Sequence, residues 1–116
     1  MIGILLIEGY PIIPFSCVVD SMRAANRLSG KDLYQWEYYA PGREPVTASC
    51  GITVPTRPLG DANNLSTLVV VAPNTAQDFD NAVTLRQLNA LDKQQVNLGS
   101  ASSGSFILAR AGLLDD

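Results

Sequence analysis

The chain has 116 residues, of which 47% are hydrophobic and 16% charged, and its formal net charge is −3. This composition is typical of one small globular domain with a buried core. Nucleic-acid-binding modules normally carry a basic face, and the chain has only eight Lys and Arg residues, so we expect no DNA binding by this segment itself. It has no histidine, which excludes Ser-His and Cys-His catalytic pairs made from this segment alone and most zinc sites.

The chain opens with a predicted strand followed by a predicted helix. Residues 2–8 form a continuous apolar run, which is typical of a strand covered on both faces. This run is too short to span a membrane, and Glu8 interrupts it, so we expect neither a membrane span nor a signal peptide. From residue 12 to residue 28 apolar side chains recur at helical spacing, and Gly30 suits the left-handed position that ends a helix.

The rest of the chain alternates in the same way. Residues 33–41 and 65–73 are predicted strands, with short strand pieces around Gly51 and a loop at 74–81. Residues 83–91 are predicted to form a helix, 96–100 a short central strand, and 103–116 a helix that ends at Gly112 and Leu113 in a Schellman motif. Alternating strands and helices predict an α/β fold with a mostly parallel sheet.

Two further expectations concern the end of the chain and the cysteines. The chain stops where an α/β sheet normally continues, so we interpret it as an incomplete domain. Cys17 and Cys50 are expected to be free, buried thiols of a cytoplasmic protein, with a disulfide as the weaker alternative.

The stretch "LGSASSGSF" is the main candidate site. Small residues between a strand and a helix allow the sharp turn of a nucleophile elbow, which here would present Ser102 or Ser103. The following helix N-terminus would offer unpaired N–H groups to a ligand oxygen. The equal alternative is that these small residues only let the helix and the strand pack closely.

Two other segments could belong to the same site. Ligands of open α/β sheets bind beyond the carboxyl ends of the strands, where Asn74 and Thr75 would lie next to the 99–104 turn if their strands are neighbours. Tyr10, after the first strand, could line the same crevice. The favoured alternative for Tyr10 is an aromatic side chain that covers the edge of the core.

The segments "RAANRLSGKDLYQWEYYAPG" and "GSASSGSFILARAGLLDD" resemble the N-terminal domain of GlxA-type regulators of the AraC family. That domain is of the ThiJ/PfpI-like superfamily, which is related to class I glutamine amidotransferases. The resemblance covers nearly the whole chain and implies a flavodoxin-like three-layer sandwich and a homodimer. It also implies that residues 1–116 are an effector-sensing domain, and that helix-turn-helix motifs beyond them bind DNA.

The chain departs from the enzymes of this superfamily at several positions. They carry a cysteine where this chain has Ser102, a carboxylate at the position of Pro14, and a glycine pair where Pro73 and Asn74 stand. A histidine, where the family has one, would lie beyond Asp116. A serine needs an adjacent base to react, and proline offers neither a base nor an N–H. The hydrolytic machinery is therefore expected to be lost and the crevice retained.

These features predict a ligand-sensing and dimerisation domain of a transcriptional regulator rather than an enzyme, without cofactor or metal. The resemblance implies an amino-acid-like or amine effector, with Ser102, Ser103, Asn74, Thr75 and Tyr10 as candidate contacts. One alternative is a PfpI-like hydrolase or hydratase with Ser102 as its nucleophile and a base from outside the chain. The other is a domain that only dimerises and binds no ligand.

Overall fold

A computed structural model describes residues 1–113 of the chain, and every strand pairing in its sheet is parallel. In chain order the elements are β1 (Ile2–Leu6), α1 (Ile12–Ser29), β2 (Trp36–Ala40), β3 (Arg57–Pro58), a 3-10 helix (Leu59–Asp61), β4 (Thr67–Ala72), a 3-10 helix (Asn74–Asp78), α2 (Ala82–Lys93), β5 (Asn97–Ser102) and α3 (Gly104–Arg110). The predicted α/β fold is thereby confirmed.

The sheet has the strand order β3-β2-β1-β4-β5. β1 is the central strand, β2 and β3 lie on one side of it, and β4 and β5, which come later in the chain, lie on the other. The strand order therefore reverses between β1 and β4, which is the topological switch point where open α/β sheets leave a crevice for ligands.

One strand lies in a different position from the predicted one. The strand predicted over residues 96–100 was expected to be central, whereas β5 pairs only with β4 and lies at an edge of the described sheet. A central strand was expected mainly because of the apolar residue Val96, which precedes β5 and is itself buried in the core. The strand itself consists largely of small and polar residues that remain partly exposed.

Helices cover both faces of the sheet and form the predicted three-layer sandwich. Because side chains alternate along a strand, Leu5 faces one layer while Ile4 and Leu6 face the other. The first layer contains Leu68 and Val70 of β4, Leu88 of α2, and Ile107 and Leu108 of α3. The second is built around α1 with Tyr10, Phe15, Met22, Val46, Ala48 and Val71.

Helix α1 follows the predicted pattern at both ends. It buries Phe15 and Met22, and it ends at Gly30, which adopts the left-handed conformation with φ of 69°. The Asn26 side chain then pairs with the Tyr34 peptide through two hydrogen bonds of 2.9 Å, from Asn26 Nδ2 to Tyr34 O and from Tyr34 N to Asn26 Oδ1. This pair holds the chain as it returns to the sheet, which β2 enters at Trp36.

The end of α3 has the predicted Schellman motif. Gly112 is left-handed with φ of 78°. Its N–H donates to Ala109 O, and the Leu113 N–H donates to Leu108 O, both at 3.0 Å, which are the two bonds that define this motif. Leu113 also packs against the core. Residues 114–116, the last part of the segment predicted over 103–116, lie outside the described residues.

Both cysteines are free, as predicted, but neither is buried. Cys17 falls between the core-facing positions of α1, and Cys50 lies in a turn next to Gly51, which has φ of 94°. The strand pieces expected around Gly51 amount to one isolated antiparallel bridge between Thr47 and Thr53. Within residues 1–113, no helix has the length and apolar character needed to cross a membrane.

Candidate functional site

The loop residues that were predicted to meet do lie together at the carboxyl edge of the sheet. β4 and β5 are neighbours in parallel register, with Ala72 paired to Ser102, so the residues that follow each strand emerge side by side. The Ser103 hydroxyl donates to Asn74 Oδ1 across a distance of 3.4 Å. The structure thus brings Asn74, Ser102 and Ser103 to one place, while their roles remain predictions.

Ser102 has the backbone geometry of a strained elbow. It is the last residue of β5 and has φ of +56°, a left-handed conformation that is uncommon for residues other than glycine. Holding such a residue costs about 1–3 kcal/mol and persists only where the surroundings enforce it. The Ser102 side chain is exposed, as an elbow residue must be in order to meet a ligand.

Gly104 explains how the elbow is enforced. A Cβ atom built on Gly104 would collide with the carbonyl oxygen of Val70, lie 2.8 Å from the Val70 carbonyl carbon and lie 3.2 Å from Ser100 Cβ. The first turn of α3 therefore packs directly on the backbone of β4. Small size is needed here for packing, since the φ of Gly104 is not in the left-handed range.

A cavity of about 290 Å³ lies next to the elbow, at the topological switch point. It is lined by residues that follow β1 and β4 and by one residue of the long β2–β3 connection: Gly9, Pro11, Ser49, Pro73, Asn74 and Thr75. None of these side chains carries a charge. Of the predicted site residues, Asn74 and Thr75 line the cavity, whereas Ser102, Ser103 and Tyr10 are not part of its lining.

Gly9, Pro11 and Ser49 also line the cavity, although none of them was a predicted contact. Gly9 lies against the Pro73 ring, because a Cβ built on it would be 3.6 Å from Pro73 Cβ. Ser49 reaches the cavity because its N–H donates to Tyr10 O at 2.9 Å. No local pattern predicts this contact, since the two segments are about forty residues apart in the chain.

Tyr10 belongs to the core rather than to the cavity surface. Its side chain is 0% exposed and makes an edge contact with Phe15, with ring centroids 5.6 Å apart. Among residues 1–113 its hydroxyl has no hydrogen-bond partner. Burial raises the pKa of the Tyr10 phenol, and the nearby Cys50 and Glu8 raise it further. This placement matches the alternative in which Tyr10 covers the edge of the core, and it does not support a direct ligand contact.

The described residues offer little for hydrolysis. The hydrogen-bond partner of the Ser103 hydroxyl is the side-chain amide of Asn74, which is not a base. Pro14, which stands where the enzymes have a carboxylate, lies within α1 and has no acidic group. Within residues 1–113, no group of three or more His, Cys, Asp or Glu side chains could hold a metal ion. The arrangement can bind a small molecule through hydroxyl, amide and backbone groups.

A second cavity, of about 360 Å³, lies at the opposite end of the strands. It is lined by Trp36, Glu37, Tyr38, Pro55, Thr56 and Arg57, and Trp36 is the first residue of β2. The Glu37–Arg57 ion pair within it, at 2.9 Å, is half exposed and adds little to stability. Ligands of open α/β sheets bind at the carboxyl ends of the strands, so we favour the cavity beside the elbow.

The relatives of this chain are transcriptional regulators. It is 34% identical over 117 residues to the HTH-type transcriptional regulator GlxA of Rhizobium meliloti, covering 99% of this chain and 36% of that protein. It is 33% identical over 115 residues to the HTH-type transcriptional regulator GbdR of Pseudomonas aeruginosa, covering 98% of this chain and 31% of that protein. The chain thus spans about a third of the length of these relatives. No protein-family model matches it.

Solved structures of the same fold include a regulator and a DJ-1 superfamily protein. An AraC family transcriptional regulator from Pseudomonas putida matches with a TM-score of 0.85 and 24% identity, covering 99% of this chain and 62% of that one. A DJ-1 superfamily protein from Agrobacterium tumefaciens matches with a TM-score of 0.74 and 17% identity, covering 99% of this chain and 60% of that one. The flavodoxin-like fold that the resemblance implied is confirmed.

Proposed function

Because this chain is a homologue of GlxA-type HTH transcriptional regulators and has the ThiJ/PfpI and DJ-1 superfamily fold, we propose that it is the ligand-sensing and dimerisation domain of an AraC-family regulator. Its effector is a small amino-acid-like or amine metabolite held in a degenerate amidotransferase-like site. The regulator is a cytoplasmic homodimer, and it binds DNA through a helix-turn-helix domain outside residues 1–116. This domain itself is not an enzyme.

The observation that carries the proposal is the cavity at the switch point, next to an elbow that keeps its geometry without a base. Ser102 retains the strained φ of +56° and Gly104 the close packing on β4. Strained residues of this kind cluster at ligand sites and active sites, which supports a binding role for the crevice. The cavity volume of about 290 Å³ lies at the small end of the range for ligand pockets, which starts at about 300 Å³, so any ligand it holds is a small metabolite.

The sensing role requires that the effector favour one state of the dimer. A ligand shifts an equilibrium only by the difference in its affinity for the two states, and such coupling free energies are typically about 1–3 kcal/mol. The coding sequence that follows Asp116 is the simplest test of the regulator assignment. We expect it to encode helix-turn-helix motifs, and a reading frame without them would contradict the assignment.

Ligand binding is tested by thermal unfolding of the protein against a panel of amino acids, betaines and polyamines. A ligand present at a hundred times its dissociation constant adds about 2.7 kcal/mol to the free energy of unfolding, which raises Tm by roughly 10 °C in a domain of this size. We expect at least one compound to do so and Thr75→Trp, which fills the cavity, to abolish the shift.

Gln77→Trp is the matched control for Thr75→Trp. Gln77 is exposed on the same 3-10 helix but does not line the cavity, so this variant should keep the full ligand shift. A shift that survives Thr75→Trp would place the ligand elsewhere. A panel without any shift would favour the domain that only dimerises.

The elbow geometry keeps one enzymatic alternative open to test, which is a hydrolase with Ser102 as its nucleophile. A fluorophosphonate reagent labels serines that an adjacent base activates. We expect no labelling of Ser102, because the described residues place no base beside it. Labelling that Ser102→Ala abolishes and Ser103→Ala leaves intact would establish the enzyme instead.

A further inference from the structure

The wall of the cavity that Ser49 forms belongs to an unusually long connection. Residues 41–56 join β2 to β3, whereas most connections in compact domains have about 4–6 residues, and longer ones are often functional. Within it the Thr47–Thr53 pair is an isolated bridge, so this segment gains little order from strand pairing. Val46 and Ala48 are buried in the core beside α1, which holds one side of the segment.

The other side is held by three hydrogen bonds to the loop that follows β1. Glu8 Oε1 accepts from Thr47 N at 3.1 Å, and Gly9 N donates to Thr47 O at 2.8 Å. Ser49 N then donates to Tyr10 O at 2.9 Å. Glu8 and Gly9 thus engage both sides of residue 47, and the Glu8 carboxylate supplies the one bond of the three made by a side chain.

We infer that Glu8 is a positioning residue of the cavity: its carboxylate orders the 47–49 segment against the β1 loop and so holds Ser49 in the cavity wall. Glu8 does not line the cavity itself, so it acts through Thr47 rather than on the ligand. The role of this wall in ligand binding rests on the proposed function, whereas the ordering of the wall does not.

The test is residue-resolved amide hydrogen exchange by NMR on Glu8→Ala, which removes the acceptor. Local opening governs exchange of such amides, and a hydrogen bond to a charged group is worth about a tenfold change in an opening equilibrium or more. We expect the amides of Thr47, Ser49 and Gly9 to exchange at least about tenfold faster, while core amides of β4, such as that of Val70, keep their protection.

Two further variants separate positioning from general destabilisation. Glu8→Gln keeps an oxygen that accepts from Thr47 N, so it should restore slow exchange. Glu44→Ala removes another exposed carboxylate of the same connection and should change nothing. Unchanged exchange of Thr47 in Glu8→Ala, or loss of protection in β4 as well, would overturn the inference.

These outcomes are independent of the ligand panel. Faster exchange of Thr47 and Ser49 with no thermal shift from any compound would support the ordering by Glu8 and contradict the proposed function. If Glu8→Ala leaves the exchange of Thr47 and Ser49 unchanged while a compound of the panel raises Tm, the proposed function stands. Glu8 then has no positioning role in the cavity.

Discussion

Gly104→Ala is expected to lower the free energy of unfolding by about 4 kcal/mol or more, which is in the exceptional range for a single substitution. The added methyl group would collide with the Val70 carbonyl group, which belongs to a central strand pair and cannot rotate away like a side chain. Alanine gains about 1 kcal/mol over glycine within a helix, and this gain is too small to offset a displaced backbone. Gly104→Val should prevent folding altogether.

Gly99→Ala is the matched control on the neighbouring strand. A Cβ on Gly99 meets nothing within 4 Å and the residue has no left-handed φ, so the variant should stay within about 0.5 kcal/mol of the wild type. Urea titrations of the three proteins measure the difference. Equal midpoints for Gly104→Ala and the wild type would contradict the close packing of α3 on β4.

Leu88→Ala is expected to cost about 2–5 kcal/mol, the range for removing a buried leucine side chain and leaving a cavity. Leu88 lies in α2 and is 0% exposed, within the core layer that α2 and α3 share. Small domains have a total free energy of unfolding of only about 5–15 kcal/mol, so the core contacts of the Leu88 side chain supply a large part of it.

Val83→Ala provides the comparison for Leu88→Ala on the same helix. Val83 is 51% exposed, and alanine has the higher helix propensity, so this variant should change the urea midpoint little. A similar loss in both variants would mean that α2 is buried on a different face from the one described.

Most of the fold was predictable because its signals are local. β1 is a continuous apolar run because both of its faces are buried. α1 has apolar residues at helical spacing because one stripe of its surface packs on the sheet. Gly30 and Gly112 were identified as helix ends because a left-handed residue favours glycine. The reversal of strand order between β1 and β4 is a long-range feature, and the residue pattern by itself carried no sign of it.

The errors arose where tertiary neighbours decide the outcome. Composition suggested that Cys17 and Cys50 are buried, but the helical position of one and the turn around the other expose them. The edge position of β5 depends on which strands pair with it. The site was predicted in part, because Asn74 and Ser103 follow adjacent strands, whereas Ser49 reaches the cavity only through the long β2–β3 connection.

The central claim is that the switch-point cavity beside the elbow is the effector site. It is tested most directly by NMR, comparing backbone amide shifts without ligand and with each compound of the thermal panel. We predict that the perturbed amides cluster at Gly9, Ser49, Asn74, Thr75 and Ser103. Perturbations clustered around Trp36 and Arg57 instead, or none at the predicted residues with any compound, would contradict the claim.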